Sequence, residues 1–528
     1  MQAKYISYQQ TNAFSPVVLD YIGEKDNLES FYKYSPTFQG FETAIRERKF
    51  SGNRNLLVQI LQKQYAGLDH TALVDTHINL LADERTFTIT TGHQLNIFTG
   101  PLYFIYKIVT AIKLAAELKE KFPDYNFVPV YWMATEDHDF EEINHVKVED
   151  KMITWHAKAA GATGRINPAD ITEALAAYKG YLGISENGSA LSALVEKAYT
   201  GHDTLANATR ELVNALFGSK GLICIDADEA ALKAEFAPVI YRDLTEQNSF
   251  KQITETSKNL EDKGYKAQVH PREINFFYMT DRLRERIVNE KGLYQVMNTD
   301  ITFTQEQLKE EVEKYPERFS PNVVMRPVYQ EVILPNLAYI GGGAEVTYWL
   351  QLKANFDFYQ VPYPVLILRN SALVIDERSA RKMHILEISP VSLFHTDEQL
   401  KNQWIKTHVG DSLCLDDEQR AIRAVFDQIK LNSYKIDKTL SLSAEAAKTK
   451  ALKLITSLEK KLLRAEKRKH TTSLQQIENL KNKLFPSGVL QERVLNIAPL
   501  YVLYGADFID DLFTAFKPLD HQFTVLYA

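Results

Sequence analysis

Eleven residues, Thr135 to His145, hold five acids and two histidines: Glu136, Asp137, His138, Asp139, Glu141, Glu142 and His145, with Asn144 among them. Like charges this close repel, and burying an unpaired ion costs several kcal/mol, so such a run has few purely structural explanations. Glu136 and Asp137 suit the orientation of a cationic amine, and His138, which titrates near neutrality, suits proton transfer. A magnesium ligand set is a further reading of the same carboxylates. His138 and His145 stand seven apart without an obvious third ligand, which argues against zinc. Asp139 has a plainer role open to it as a helix cap, with Glu141 and Glu142 in the first turn.

A second group, Thr91-Gly92-His93-Gln94 followed by Asn96, Thr99, Gly100 and Pro101, has the composition of a loop that receives a nucleotide. Gly92 and Gly100 would allow close backbone approach or positive φ. Free N–H groups and the dipole of a following helix would attract phosphate, with His93 and Gln94 beside them. A third group runs from Arg326 and Gln330-Glu331 to the triplet Gly341-Gly342-Gly343, then Glu345, Tyr348 and Trp349. It reads as a second backbone-approach loop whose side chains can hold an adenine, a ribose or an amino acid. Arg369 and Arg493 are candidates for pairing with a carboxylate.

The elements around these groups alternate in a way that positions them together. Phe87 and Ile89 with their threonine neighbours form a buried strand pattern, and a helix is expected from Pro101, at its first position, to about Leu118. The strand 127–133 follows, and this spacing predicts a parallel βαβ unit. A short β insertion is expected at 146–170 with turns at Gly161 and Gly164, then helices over 171–217 and a buried strand at 221–226. Further strands are expected at 267–270, 274–280, 286–288, 323–325 and 365–368, and residues 1–80 read as mainly helical.

From about Asp416 the texture changes. Proline and glycine vanish between Gly410 and Pro486, while Ile455, Leu458, Leu462 and Ala465, and then Ile477, Leu480 and Leu484, recur at three and four. This predicts an antiparallel coiled-coil arm with limbs of about 45 Å. The division expected is a core over 1–414 with insertions near 146–210 and 289–322, an arm over 415–487, and a segment 488–528 that returns to the core. The basic run Lys460, Lys461, Arg464, Lys467, Arg468 and Lys469 is most simply a solvated helix face.

Composition excludes several classes. The 528 residues carry a net charge of −7, unsuited to a chain whose main partner is nucleic acid. Cys224 and Cys414 cannot build a disulfide framework or a four-cysteine zinc site, and Cys224 lies in a core strand pattern. No run reaches the ~18 apolar residues of a membrane helix, and no secretory segment opens the chain, so a cytoplasmic protein is expected.

Taken together, Thr91–Gln94 with Thr99–Tyr103, Glu136–Asp139 with Glu142–His145, Arg326-Pro327 with Gln330-Glu331, Gly342–Glu345 with Tyr348-Trp349, and Gln491–Arg493 resemble the cysteine ligase family of bacillithiol biosynthesis (BshC). The resemblance implies an α/β fold: a Rossmann-like parallel-sheet core of nucleotidyltransferase and class I aminoacyl-tRNA synthetase type, with inserted connecting segments and a helical arm that pairs two subunits. It implies the final step of that pathway, joining L-cysteine to the amine of glucosaminyl-malate; with the glycine loops read as a nucleotide site, an ATP-dependent ligase acting through an activated cysteine carboxylate is expected. His138, Asp137 and Glu136 would then be catalytic. Gly92, His93, Gln94, Thr99, Gly100, Gly342 and Gly343 would bind ATP. Asp139, Asn144, Arg326, Gln330, Glu345, Tyr348, Trp349 and Arg369 would bind the other substrates. A nucleotide-binding scaffold without its own turnover is the alternative expectation.

Overall fold

The structure is a computed structural model that describes residues 1–409 and 415–528; Cys414 lies outside the described residues. The chain divides into two units. The first is Met1–Gln9, Ala13–Leu373 and Gln491–Leu526; the second is Gln10–Asn12, Val374–Leu490 and Tyr527–Ala528. The sequence pattern, by contrast, groups 374–409 with the core.

At the centre of the first unit lie five parallel strands: β1 (Thr86–His93), β2 (Asn126–Met133), β3 (Ile223–Asp226), β4 (Asn336–Gly341) and β5 (Val365–Leu368), in the order β5-β4-β1-β2-β3. The chain runs outward from β1 through β2 to β3, then crosses back to place β4 on the other side of β1. Ligands of open α/β sheets bind at such a reversal, outside the C-terminal strand ends.

Strand β1 is buried on both faces, so its threonine hydroxyls need internal partners. Thr88 and Thr90 donate to Asn336 Oδ1 at 3.1 and 2.7 Å, and Thr91 donates to the Ile340 carbonyl at 2.9 Å. These bonds tie β1 to β4 and help fix the register of the two strands that flank the reversal.

Helix α1 (Leu102–Lys121) covers the sheet through Ala111, Leu114, Ala115 and Leu118, which pack with Phe87, Ile89, Phe127 and Ile340. Pro101 is its N-cap rather than its first residue. Gly100 just before it has φ +61°, and a Cβ there would stand 2.6 Å from Asn96 Cβ. Gly100→Ala is therefore expected to cost about 1–3 kcal/mol, read as a lower urea midpoint.

Between β3 and β4 the chain inserts α2 (Ala230–Glu246), a further helix Asn248–Asp262 and a five-stranded antiparallel sheet. That sheet pairs Phe276–Thr280 with Leu283–Glu290 on one side and with Phe319–Pro321 on the other. The strand expected at 267–270 is irregular backbone, its Gln268 and Val269 N–H groups held by Gln351 Oε1. The strand expected at 323–325 is a turn. Asn322 Oδ1 accepts from the N–H groups of Val324 and Met325, and Pro327 opens the helix Arg326–Ile333. Asn-turn and proline chemistry outweighs the β-preference of two valines there. Helix α3 (Gly343–Tyr359) follows β4 directly.

The second unit contains an antiparallel helical hairpin, Asp416–Ile436 and Leu440–Lys469, registered by Lys430–Glu445 at 2.8 Å and Lys448–Asp427 at 2.9 Å. Ile477, Leu480 and Leu484 on the next helix are buried as their spacing implies, whereas Leu458 on the longer limb is exposed. Among the described residues no helix is long and apolar enough to cross a membrane.

Candidate active site

A cavity of about 880 Å³ opens at the C-terminal ends of β1, β2 and β4, at the sheet reversal. Its floor is Gly92 and His93 from β1, Tyr103 and Lys107 from α1, Tyr339 from β4, and Gly342 to Glu345 at the start of α3. Gly92 lies within the strand and has no left-handed φ. Glycine is needed there for space: a Cβ would stand 3.2 Å from the Tyr339 hydroxyl and 3.7 Å from Arg326 Nη1.

Lys107, one turn into α1 and buried, donates to the Gly92 carbonyl at 2.8 Å and pairs with Glu345 at 2.5 Å. Glu345 also accepts from the Tyr339 hydroxyl at 2.7 Å and from the Gly342 N–H at 2.9 Å. Burial pushes the Glu345 carboxyl up, but Lys107 and these donors outweigh it and hold it below the usual carboxylate range. His93 packs against Tyr103 and Phe104, and its Nε2 has no hydrogen-bond partner among the described residues. Burial, with the Lys107 charge nearby, pulls its imidazole down to about 3. His93 is thus expected to stay neutral from about pH 5 to 9, as its imidazole nitrogen shifts in an NMR titration would report.

The acidic run forms the opposite side. Thr135 donates to Asp226 at 2.5 Å, tying the end of β2 to the end of β3. Glu136, nearly buried, pairs with the fully buried Lys233 of α2. Arg165 holds Asp228 through two bonds, at 2.7 and 2.9 Å. Asp137 accepts from Gln94 Nε2 at 2.6 Å, which joins the acidic run to the end of β1. His138 stands outside the cavity lining, half-exposed, with its Nδ1 2.6 Å from Arg284 Nη1. A guanidinium only donates, so Nδ1 accepts and its lone pair is already engaged.

Two family models match the chain. The N-terminal Rossmann-like domain of bacillithiol biosynthesis BshC matches residues 1–370, and the C-terminal coiled-coil domain of BshC matches residues 372–528. The chain belongs to the BshC family. Relatives from Flavobacterium psychrophilum (43% identical, all of this chain and 99% of the relative) and Flavobacterium johnsoniae (44%, all of both chains) carry the name "Putative cysteine ligase BshC". A relative from Christiangramia forsetii is 42% identical over all of this chain and 99% of its own, and has the same name.

In this BshC-family chain the cavity brings together Gly92, His93, Gln94, Glu136, Asp137, Arg326, Gly342, Gly343, Glu345, Tyr348 and Arg369. It leaves out Thr99, Gly100, His138, Asp139, Asn144, Gln330 and Trp349. Thr99 is buried, and the start of α1 is occupied from within: Leu102 N–H donates to the Leu495 carbonyl at 2.8 Å, and Asn496 donates to the carbonyls of Phe98 and Gly100. That helix end is closed by protein, so the anion site expected there is not open. Gln330 is buried between Arg326 and Glu331, and Trp349 is buried between Tyr339 and Phe356. Asp139 caps the short helix Phe140–Ile143 through the Glu142 N–H, and Asn144 meets His145.

Sequence reasoning missed Lys107, Lys233 and the insertion's arginines. Arg272, Arg284 and Arg286 line the cavity with Arg326, Arg369 and Arg493, and of these six only Arg369 has a carboxylate within 4.0 Å among the described residues. Their one sequence signal is alternation: Arg284 and Arg286 sit two apart on a strand and so share a face. Among the described residues no group of three His, Cys, Asp or Glu side chains is placed to hold a metal ion. Cys224 is buried in β3, and burial pushes its thiol up to about 12, so it is a core residue rather than a nucleophile.

Proposed function

We propose that this protein is an ATP-dependent ligase that joins L-cysteine to the amine of glucosaminyl-malate in this cavity. The observation that carries the reading is the union, in one cavity, of an open helix N-terminus, a cluster of arginines mostly without carboxylate partners, and a pair of acids. The relatives' shared name and the family's place in bacillithiol biosynthesis support it.

The N–H groups of Gly343 and Ala344, the first of α3, lack intrahelical partners and lie on the cavity floor, next to the Gly342 N–H that Glu345 already occupies. With Arg326 and Arg369 they suit the phosphates of ATP. Activation forms a bond between a cysteine carboxylate oxygen and the α-phosphorus and releases pyrophosphate. The substrate amine, stripped of one proton, then attacks the activated carbonyl carbon, AMP leaves, and the amide remains. Glu136 and Asp137 face the incoming ammonium. Burial holds the Glu136 carboxyl above the usual carboxylate range, which makes it a better proton acceptor than an ordinary glutamate. His138 is set aside from this role by its position.

Incubation with ATP, L-cysteine and glucosaminyl-malate tests the proposal. Thiol product and AMP in equal amounts are expected, each dependent on all three substrates. With ¹⁸O in the cysteine carboxylate, label should pass into AMP; label in inorganic phosphate would replace the adenylate by an acyl phosphate. Product without nucleotide consumption would remove the ligase chemistry.

The hairpin leaves Val425, Ile429, Leu431, Ile436, Leu442 and Leu454 exposed, an apolar content suited to pairing with a second subunit. A dimer mass by light scattering at micromolar concentration is the expected result.

A further inference from the structure

Lys233 is the buried charge that the chemistry above leaves unused. It sits in α2, has no solvent exposure, and shares the buried face of that helix with Leu232 and Phe236. A lone ammonium there would be costly to bury, so its partners define its purpose. Nζ donates to Glu136 Oε1 and to the Phe319 carbonyl at 2.8 Å, and lies 5.2 Å from the Tyr329 ring centroid. Three donors thus meet a carboxylate, a carbonyl and an aromatic face. The other oxygen of Glu136 has no hydrogen-bond partner among the described residues, and Glu136 lines the cavity. Resting on the ligase reading above, we infer that Lys233 is a positioning residue that fixes Glu136 as a carboxylate with one oxygen presented to the substrate amine.

The charges around Glu136 support this. Burial pushes its carboxyl up, Lys233 pulls it down, Asp228 pushes it up again, and Arg284 pulls it down. Asp228 is itself engaged by Arg165, whose guanidinium also feels Glu136. Tyr329, packed against the same pair, donates its hydroxyl to the Ala227 carbonyl and gives Glu136 no proton. Among the described residues Lys233 is therefore the one cation in direct contact with the carboxylate. Without it, burial and Asp228 act against only Arg284 and Arg165, neither in contact with the carboxylate, and the carboxyl keeps its proton to higher pH.

The test compares wild type, Lys233→Met, Glu136→Gln and the double variant. In Lys233→Met the native state holds a proton that the unfolded chain has released, so its stability falls as pH rises. Its urea midpoint should drop further below wild type between about pH 5 and 8, and the pH-dependent part of the gap should vanish when Glu136→Gln replaces wild type as the background. The acid limb of its kcat profile should move up by about one unit or more. Stability curves that stay parallel to wild type, or a pH-dependent gap that persists in the Glu136→Gln background, would overturn the assignment of Lys233. A coupled stability change with an unmoved acid limb would overturn its service to the reaction. A wild type without turnover removes the ligase reading instead, and the unfolding series then decides Lys233 on its own.

Discussion

Glu136→Gln should lower kcat by about 10²- to 10⁴-fold, the range expected when a positioned proton acceptor is lost. The amide keeps the shape of the side chain and an oxygen for Lys233, but cannot take a proton from the substrate ammonium. It also leaves Lys233 buried without a counter-charge, so stability falls as well. The double variant Glu136→Gln with Lys233→Met separates the two effects. Unfolding of that protein should return toward the wild-type midpoint while turnover stays low, because the buried charges are gone together. Turnover within threefold of wild type in folded Glu136→Gln would assign the proton to another group, Asp137 first.

The second large effect is on the fold itself. Glu492 is fully buried, accepting from Arg369 Nη2 at 2.7 Å and from the Ala372 N–H at 2.9 Å. Arg369 is also buried: its Nη1 donates to the Asn370 carbonyl and the Ser371 hydroxyl, both at 3.0 Å, while its Nε has no hydrogen-bond partner among the described residues. Among the described residues, Glu492→Ala removes the only carboxylate paired with this guanidinium. A loss of about 3–5 kcal/mol is expected, measured by urea unfolding. Since Arg369 lines the cavity, ATP affinity should fall with it. Glu492→Gln keeps an acceptor and should cost less. A Glu492→Ala protein within about 1 kcal/mol of wild type would show that the pair is no more than a surface-type ion pair.

Much of this architecture was readable from local pattern. Strands β1, β2, β3 and β5, helix α1 and the helices of 171–217 follow from apolar runs and periodicity, which are properties of neighbouring residues. The family followed from short polar blocks in a fixed order, and the two family models bear it out. Local pattern pointed to the start of α1 for the phosphates, and here it failed for a long-range reason. Leu495 and Asn496, far along the chain, fill that helix end. The strand Gln2–Ser7 was also missed, because its residues are half-buried or exposed and carry no strong apolar alternation. Lys233 and Arg284 reach the acidic run from positions 97 and 146 residues away from their partners, across the β3-to-β4 insertion. No local spacing encodes such contacts. His138 looked catalytic because of its neighbours in sequence, whereas the turn that follows β2 sends it outside the cavity and toward Arg284.

The central claim is that nucleotide and amine meet in the cavity at the β1–β4 reversal. Photolabelling with 8-azido-ATP, followed by peptide mapping, tests it most directly. Labelled peptides are expected from 92–107 or 339–348, with labelling suppressed by excess ATP and lost in Arg326→Ala. ATP-suppressible label confined to the helical hairpin 416–469 would place the nucleotide elsewhere and contradict the account.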